Sequence, residues 1–110
     1  MKHENFKSFI VDGSGENSEL NAFLNSNVTP KSISTSYVGF TNAKAVFIGY
    51  VESKRAHHYT IETETIDVVP GEDFDHKLNA GAARHAGVVC QDVHVSEGMD
   101  KLEVTWLVAK

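Results

Sequence analysis

Apolar positions in this chain recur with two periods, and each change of period marks an element. Phe6 to Val11 is a short apolar run ending in β-branched residues, which predicts a strand. Leu20, Phe23 and Leu24 then fall at i, i+3 and i+4, the apolar face of a short helix over 17–26. Asn17 or Ser18 can cap its start, and Glu19 suits the positive end of the helix dipole. Asn25-Ser26-Asn27 ends it, and Pro30 bars continuation. Over 31–38, Ile33, Thr35 and Tyr37 alternate with Ser32, Ser34 and Ser36, a strand wet on one face. Residues 43–52 carry apolar side chains on both faces, which predicts a central or doubly covered strand.

The second half repeats this order. Residues 57–69 predict a long strand whose parity breaks between Ile61 and Ile66, so a bulge or bend is expected near Glu64. Asp73 is the expected cap of a second helix carrying Phe74, Leu78, Ala82 and His85 along one side. Gly81 inside that helix predicts close approach of another backbone, and Gly87 terminates the helix. Val88–Ser96 is a strand with Cys90, Asp92, His94 and Ser96 on one face. After a turn at Glu97-Gly98-Met99-Asp100, the last strand turns Leu102, Val104, Trp106 and Val108 inward.

Adding 58 to a residue number superposes the halves. Leu20-Asn21-Ala22 meets Leu78-Asn79-Ala80, Gly13 meets Gly71, Val11 meets Val69, Val46 meets Val104, Ile48 meets Trp106 and Glu4 meets Glu62. The expected fold is therefore α+β: two tandem βαββ units, about 1–56 and 57–110, forming one domain. It has six mainly antiparallel strands and two short helices in a two-layer arrangement. Neither unit alone can hide its apolar face, so the two must share it, as one six-stranded sheet or as two packed sheets. A homodimer would cover any sheet face left over.

With Leu20-Asn21-Ala22 and Leu78-Asn79-Ala80 inside the helices, each half resembles small uncharacterised bacterial and phage families with a βαββ core. Their helix carries a leucine-asparagine motif. Those families often follow the helix with glycine-tryptophan-glutamate, where this chain has Gly87-Val88-Val89 and keeps its tryptophan at Trp106. The resemblance implies a fold and supplies no catalytic residue.

The 110 residues suit one domain, and 41% of them are hydrophobic. No run is long and apolar enough to span a membrane, the N-terminus lacks a signal-like stretch, and the lone Cys90 fits a reducing compartment. The expected location is cytoplasmic, with no membrane partner. The net charge of -5 is uneven: residues 1–56 carry six Lys/Arg against five Asp/Glu, and residues 57–110 carry four against ten. No basic stripe is present, and nucleic acid is disfavoured as a partner.

Candidate chemistry centres on Arg84, His85, Asp92 and His94. Arg84 and His85 lie at the negative pole of the second helix, where Arg84 could bind an anion and His85 could be a core histidine. Asp92 and His94 share a strand face with Cys90, all zinc-ligand types. The ~6.6 Å spacing of i, i+2 is long for one ion, so no metal is expected. Cys90 and His94, ~13 Å apart on a strand, do not make a nucleophile pair. The adjacent His57 and His58 point to opposite faces. Asp12-Gly13-Ser14-Gly15-Glu16 lacks a nucleotide-loop spacing.

The sequence thus points to a non-enzymatic binding or accessory module that acts as a homo-oligomer, with no cofactor. Its partners would be copies of itself and a small molecule or protein. The alternative is a small-molecule-binding protein or minor enzyme using a polar site at a subunit interface around Arg84, Asp92 and His94.

Overall fold

A computed structural model describes residues 4–11, 17–37 and 43–110. The Asp12–Glu16 turn and the turn at 39–42 lie outside the described residues. Eight elements follow the expected order: β1 (Asn5–Val11), α1 (Ser18–Leu24), β2 (Val28–Tyr37), β3 (Lys44–Glu52), β4 (Tyr59–Asp67), α2 (Phe74–Arg84), β5 (Val88–Val95) and β6 (Lys101–Ala109). They form two antiparallel three-stranded sheets, ordered β1-β3-β2 and β4-β6-β5. The fold is α+β, built from two tandem βαββ units. In each unit the last strand inserts between the first two, and the helix crosses over it.

Local chemistry sets the helices. Asn17 caps α1 by accepting from the Leu20 N–H at 3.0 Å, and its amide donates to the Ile10 carbonyl at 2.8 Å, tying the helix to β1. Asp73 caps α2 by accepting from the Asp75 N–H at 2.9 Å. Leu20 and Leu24 of α1 are buried with Phe9, Val11, Ile33, Val46 and Ile48. Under α2, Trp106 is buried with Ile66, Val68, Leu102, Val104 and Val108.

The hairpins superpose residue for residue under the 58-residue offset. Ile33↔Ile48 and Thr35↔Val46 become Gln91↔Trp106 and Val93↔Val104. A register shift between Pro30 and Ser32 recurs between Val88 and Cys90, at the same place in each unit. Val46 and Val104 are both buried on the helix-side face of their central strand. The first strands differ. Phe9 pairs with Val46, whereas Glu64 pairs with Val104, so β4 matches β1 at an offset of 55. The pairings Val11/Val69 and Glu4/Glu62 are thus not structural equivalents.

Two further expectations change. Pro30 lies inside β2, which begins at Val28, because proline is tolerated on an edge strand and beside a bulge. β4 has no bulge: it pairs with β6 in unbroken register from Tyr59↔Ala109 to Asp67↔Lys101. Its parity break has another cause. Ile66 points toward α2, while Ile61 points the other way and packs, with Tyr59, Leu107 and Cys90, into the core of the first unit. The second sheet is apolar on its helix-side face and at the Ile61–Leu107–Cys90 end of its outer face, because both of these are covered. Each unit is a helix-on-sheet pair of layers, and the helix-side face of the first sheet caps the outer face of the second.

Candidate functional site

Register partners share a face, so the outer face of the second sheet reads as rows. Ile61–Leu107–Cys90 comes first, then Thr63–Thr105–Asp92, then Thr65–Glu103–His94. The surface passes from apolar to hydroxyl-bearing to charged along the strands. The apolar row is sealed under the first unit. Over the other two rows the sheets part and leave a polar cleft of 430 Å³, roofed by Thr35, Tyr37 and Lys44.

One clasp closes this gap at the β2–β5 edge. Asp92 Oδ2 accepts from the Thr35 N–H at 2.9 Å and from Thr35 Oγ1 at 2.6 Å, and His94 Nε2 lies 2.8 Å from the same oxygen. The carboxylate stands in for a ladder acceptor that the neighbouring strand does not supply. Charge-assisted bonds of this kind contribute about 1.5–3 kcal/mol each. His94 also lies 3.1 Å from Thr35 Oγ1, and its ring is otherwise exposed to the cleft. At the mouth, the Tyr37 hydroxyl donates to Glu103 at 3.4 Å, and Lys44 Nζ sits 5.2 Å from the Tyr37 ring centre.

Arg84 and His85 are elsewhere. They lie on the opposite face of the second sheet, at the end of α2, with two glutamates of β4. His85 Nδ1 bonds Glu62 and its Nε2 lies 3.1 Å from Glu64 Oε1. Arg84 pairs with the other oxygen of Glu64, and the Trp106 indole N–H donates to Glu64 at 3.1 Å. The His85 ring stacks on Trp106 with centres 5.2 Å apart. The hydrogen bond to Glu62 chiefly raises the His85 pKa, more than partial burial lowers it. Burial alone would raise Glu64, but the bonds from Arg84, His85 and Trp106 outweigh it and hold the carboxyl below its ordinary range. This network is internally satisfied: His85 is a packed histidine, with two acceptors rather than one.

Of the four sequence-designated residues, the fold therefore joins Asp92 to His94 and Arg84 to His85, and sets the second sheet between the pairs. No family model, curated protein or solved structure matches the chain. Any chemistry must be read from these side chains alone. Cys90 sits under the first unit, where burial pushes its thiol up to about 11, so it is protonated and inert. Among the described residues, no group of three or more His, Cys, Asp or Glu is placed to hold a metal, and no helix is long and apolar enough to cross a membrane.

Sequence reasoning missed the threonines. Thr63, Thr65 and Thr105 line the cleft. Their signal was parity: all three lie on the face opposite Ile66, Val104 and Trp106. It also missed Glu62 and Glu64, two residues apart on β4 and so aimed together at α2.

Proposed function

We propose that this protein is a non-enzymatic binding module that takes a small polar ligand in the cleft between its sheets. The ligand would carry hydroxyl or amino groups for the threonines and Glu103, and a carboxylate or carbonyl for Lys44. The supporting observation is the composition of the cleft: three threonine hydroxyls, His94, Glu103, Tyr37 and Lys44 converge on one 430 Å³ space. Such a wall offers donors and acceptors at fixed positions, which favours orientation of a polar guest. The groups best suited to catalysis are committed to the fold: Asp92 to Thr35, His85 to two glutamates, Cys90 to apolar packing. The single cysteine, with no second one to pair with, supports a reducing, cytoplasmic setting.

The test is a backbone amide NMR titration with free amino acids and monosaccharides as probes. At least one class should give saturable shifts confined to the cleft residues, Thr35, Tyr37, Lys44, Thr63, Thr65, His94, Glu103 and Thr105. Thr63→Ile, which fills the cleft from an exposed strand position, should abolish them. No saturable shift up to about 10 mM probe, or shifts that survive Thr63→Ile, would refute the reading.

A further inference from the structure

The two halves are packed front to back, not face to face. The helix-side face of β2, carrying Ile33, Thr35 and Tyr37, covers the outer face of β5 and β6, carrying Cys90, Asp92, His94, Thr105 and Leu107. A front-to-back contact between similar units leaves one front and one back unused. The 58-residue offset says where they are.

The unused front is the helix-side face of β5, where Gln91, Val93 and Val95 replace Ile33, Thr35 and Tyr37. Val95 there is 47% exposed, and Met99 in the adjoining hairpin is 63% exposed. The unused back is the outer face of the first sheet. It is built from Ser32, Ser34 and Ser36 on β2, Ala45, Phe47 and Gly49 on β3, and Phe6 and Ile10 on β1. Phe6 is 70% exposed, Ile10 57% and Phe47 42%, around a floor of serine, alanine and glycine low enough for another sheet to approach. We infer that these two surfaces bind each other between copies, so that the chain assembles head to tail, each second unit seating on the first unit of the next copy.

Charge favours this direction over a two-fold contact through the second units, and the front-to-back contact already made inside the chain is the pattern it repeats. Residues 1–56 sum to +1 and residues 57–110 to -6. A head-to-tail contact sets the -6 unit against the nearly neutral one. A two-fold contact through the second units would set -6 against -6. The occupant is therefore a second copy, and the contact does not close on itself after two.

Sedimentation of the full chain over a concentration series, combined with two surface variants, tests the inference. Wild type should grow past dimer mass as concentration rises. Phe47→Glu spoils only the back and Val95→Glu only the front, so each alone should be monomeric. Mixed one to one, they retain one intact front and one intact back, and should form a dimer that grows no further. Ser34→Glu and Gln91→Glu, at exposed positions on the same two faces, repeat the test should either apolar replacement unfold the chain. A wild type that stays monomeric to about 100 μM, a dimer that stops at two, or a mixture that remains monomeric would each overturn the inference. The cleft lies inside one chain, so ligand titration of the monomeric variants reports on it independently.

Discussion

At the scale of single residues, the network around Glu64 links protonation to stability. His85 has a raised pKa in the folded chain, so it favours folding fully below its ordinary value of 6.5. That contribution fades as pH rises through the folded value. Glu64 is held below its ordinary 4.5, so its contribution is present above that pH and is lost as pH falls through the folded value. Thermal stability should therefore be greatest between these limits and decline on both sides. His85→Gln should flatten the decline on the alkaline side and only partly reduce the acid side, where Arg84 and Trp106 still hold Glu64. Melting curves of both proteins from about pH 3 to pH 9 check this; an unchanged alkaline decline in the variant would show that His85 does not carry the proton. The histidine was legible in the sequence as a candidate, and its position on the apolar side of α2 was correct. Its partners were not legible, because Glu62 and Glu64 reach it from another strand, and no local pattern records which strand lies beneath a helix.

At the scale of elements, Gly81 shows how a correct inference can have the wrong object. A glycine inside a helix predicts close approach, and close approach is found. The neighbours, however, are side chains: a Cβ at Gly81 would lie 3.0 Å from Trp106 Cζ2 and 3.1 Å from Ile66 Cδ1. Alanine would gain about 0.5–1 kcal/mol of helix propensity. It would also force a buried indole to move, and overpacking costs about 1–3 kcal/mol. Gly81→Ala should thus destabilise the protein by about 1 kcal/mol in urea unfolding, and a stabilised variant would mean that Trp106 has room to yield. Element order, both caps and the alternation of faces were readable because each depends on neighbours within a few residues. The slip between β1 and β4 was not: strand register depends on pairing with β3 and β6, which lie far along the chain.

At the scale of the whole molecule, Leu107 carries the junction. It belongs to β6 of the second unit, is fully buried, and packs with Phe9, Val11, Ile33, Val46 and Ile48 of the first. Truncation of such a residue costs about 2–5 kcal/mol. Leu107→Ala should lose that much and should separate the unfolding of the units, so that Trp106 fluorescence, reporting the second unit, no longer coincides with far-ultraviolet circular dichroism. Coincident transitions in the variant would place the coupling elsewhere. The need for the two halves to share a core could be argued from their size. That they share it through the front of one and the back of the other could not, since no local pattern records which sheet faces meet.

The graded rows on the second sheet make the two units a jaw with a dry pivot at Leu107 and a wet lip at Thr35 and Asp92. Water competes readily for the bonds at the lip and gains nothing at the pivot. The lip, not the pivot, is thus the end where parting the sheets would expose no apolar surface. The proposed guest would enter and leave through that end, with the apolar core left covered.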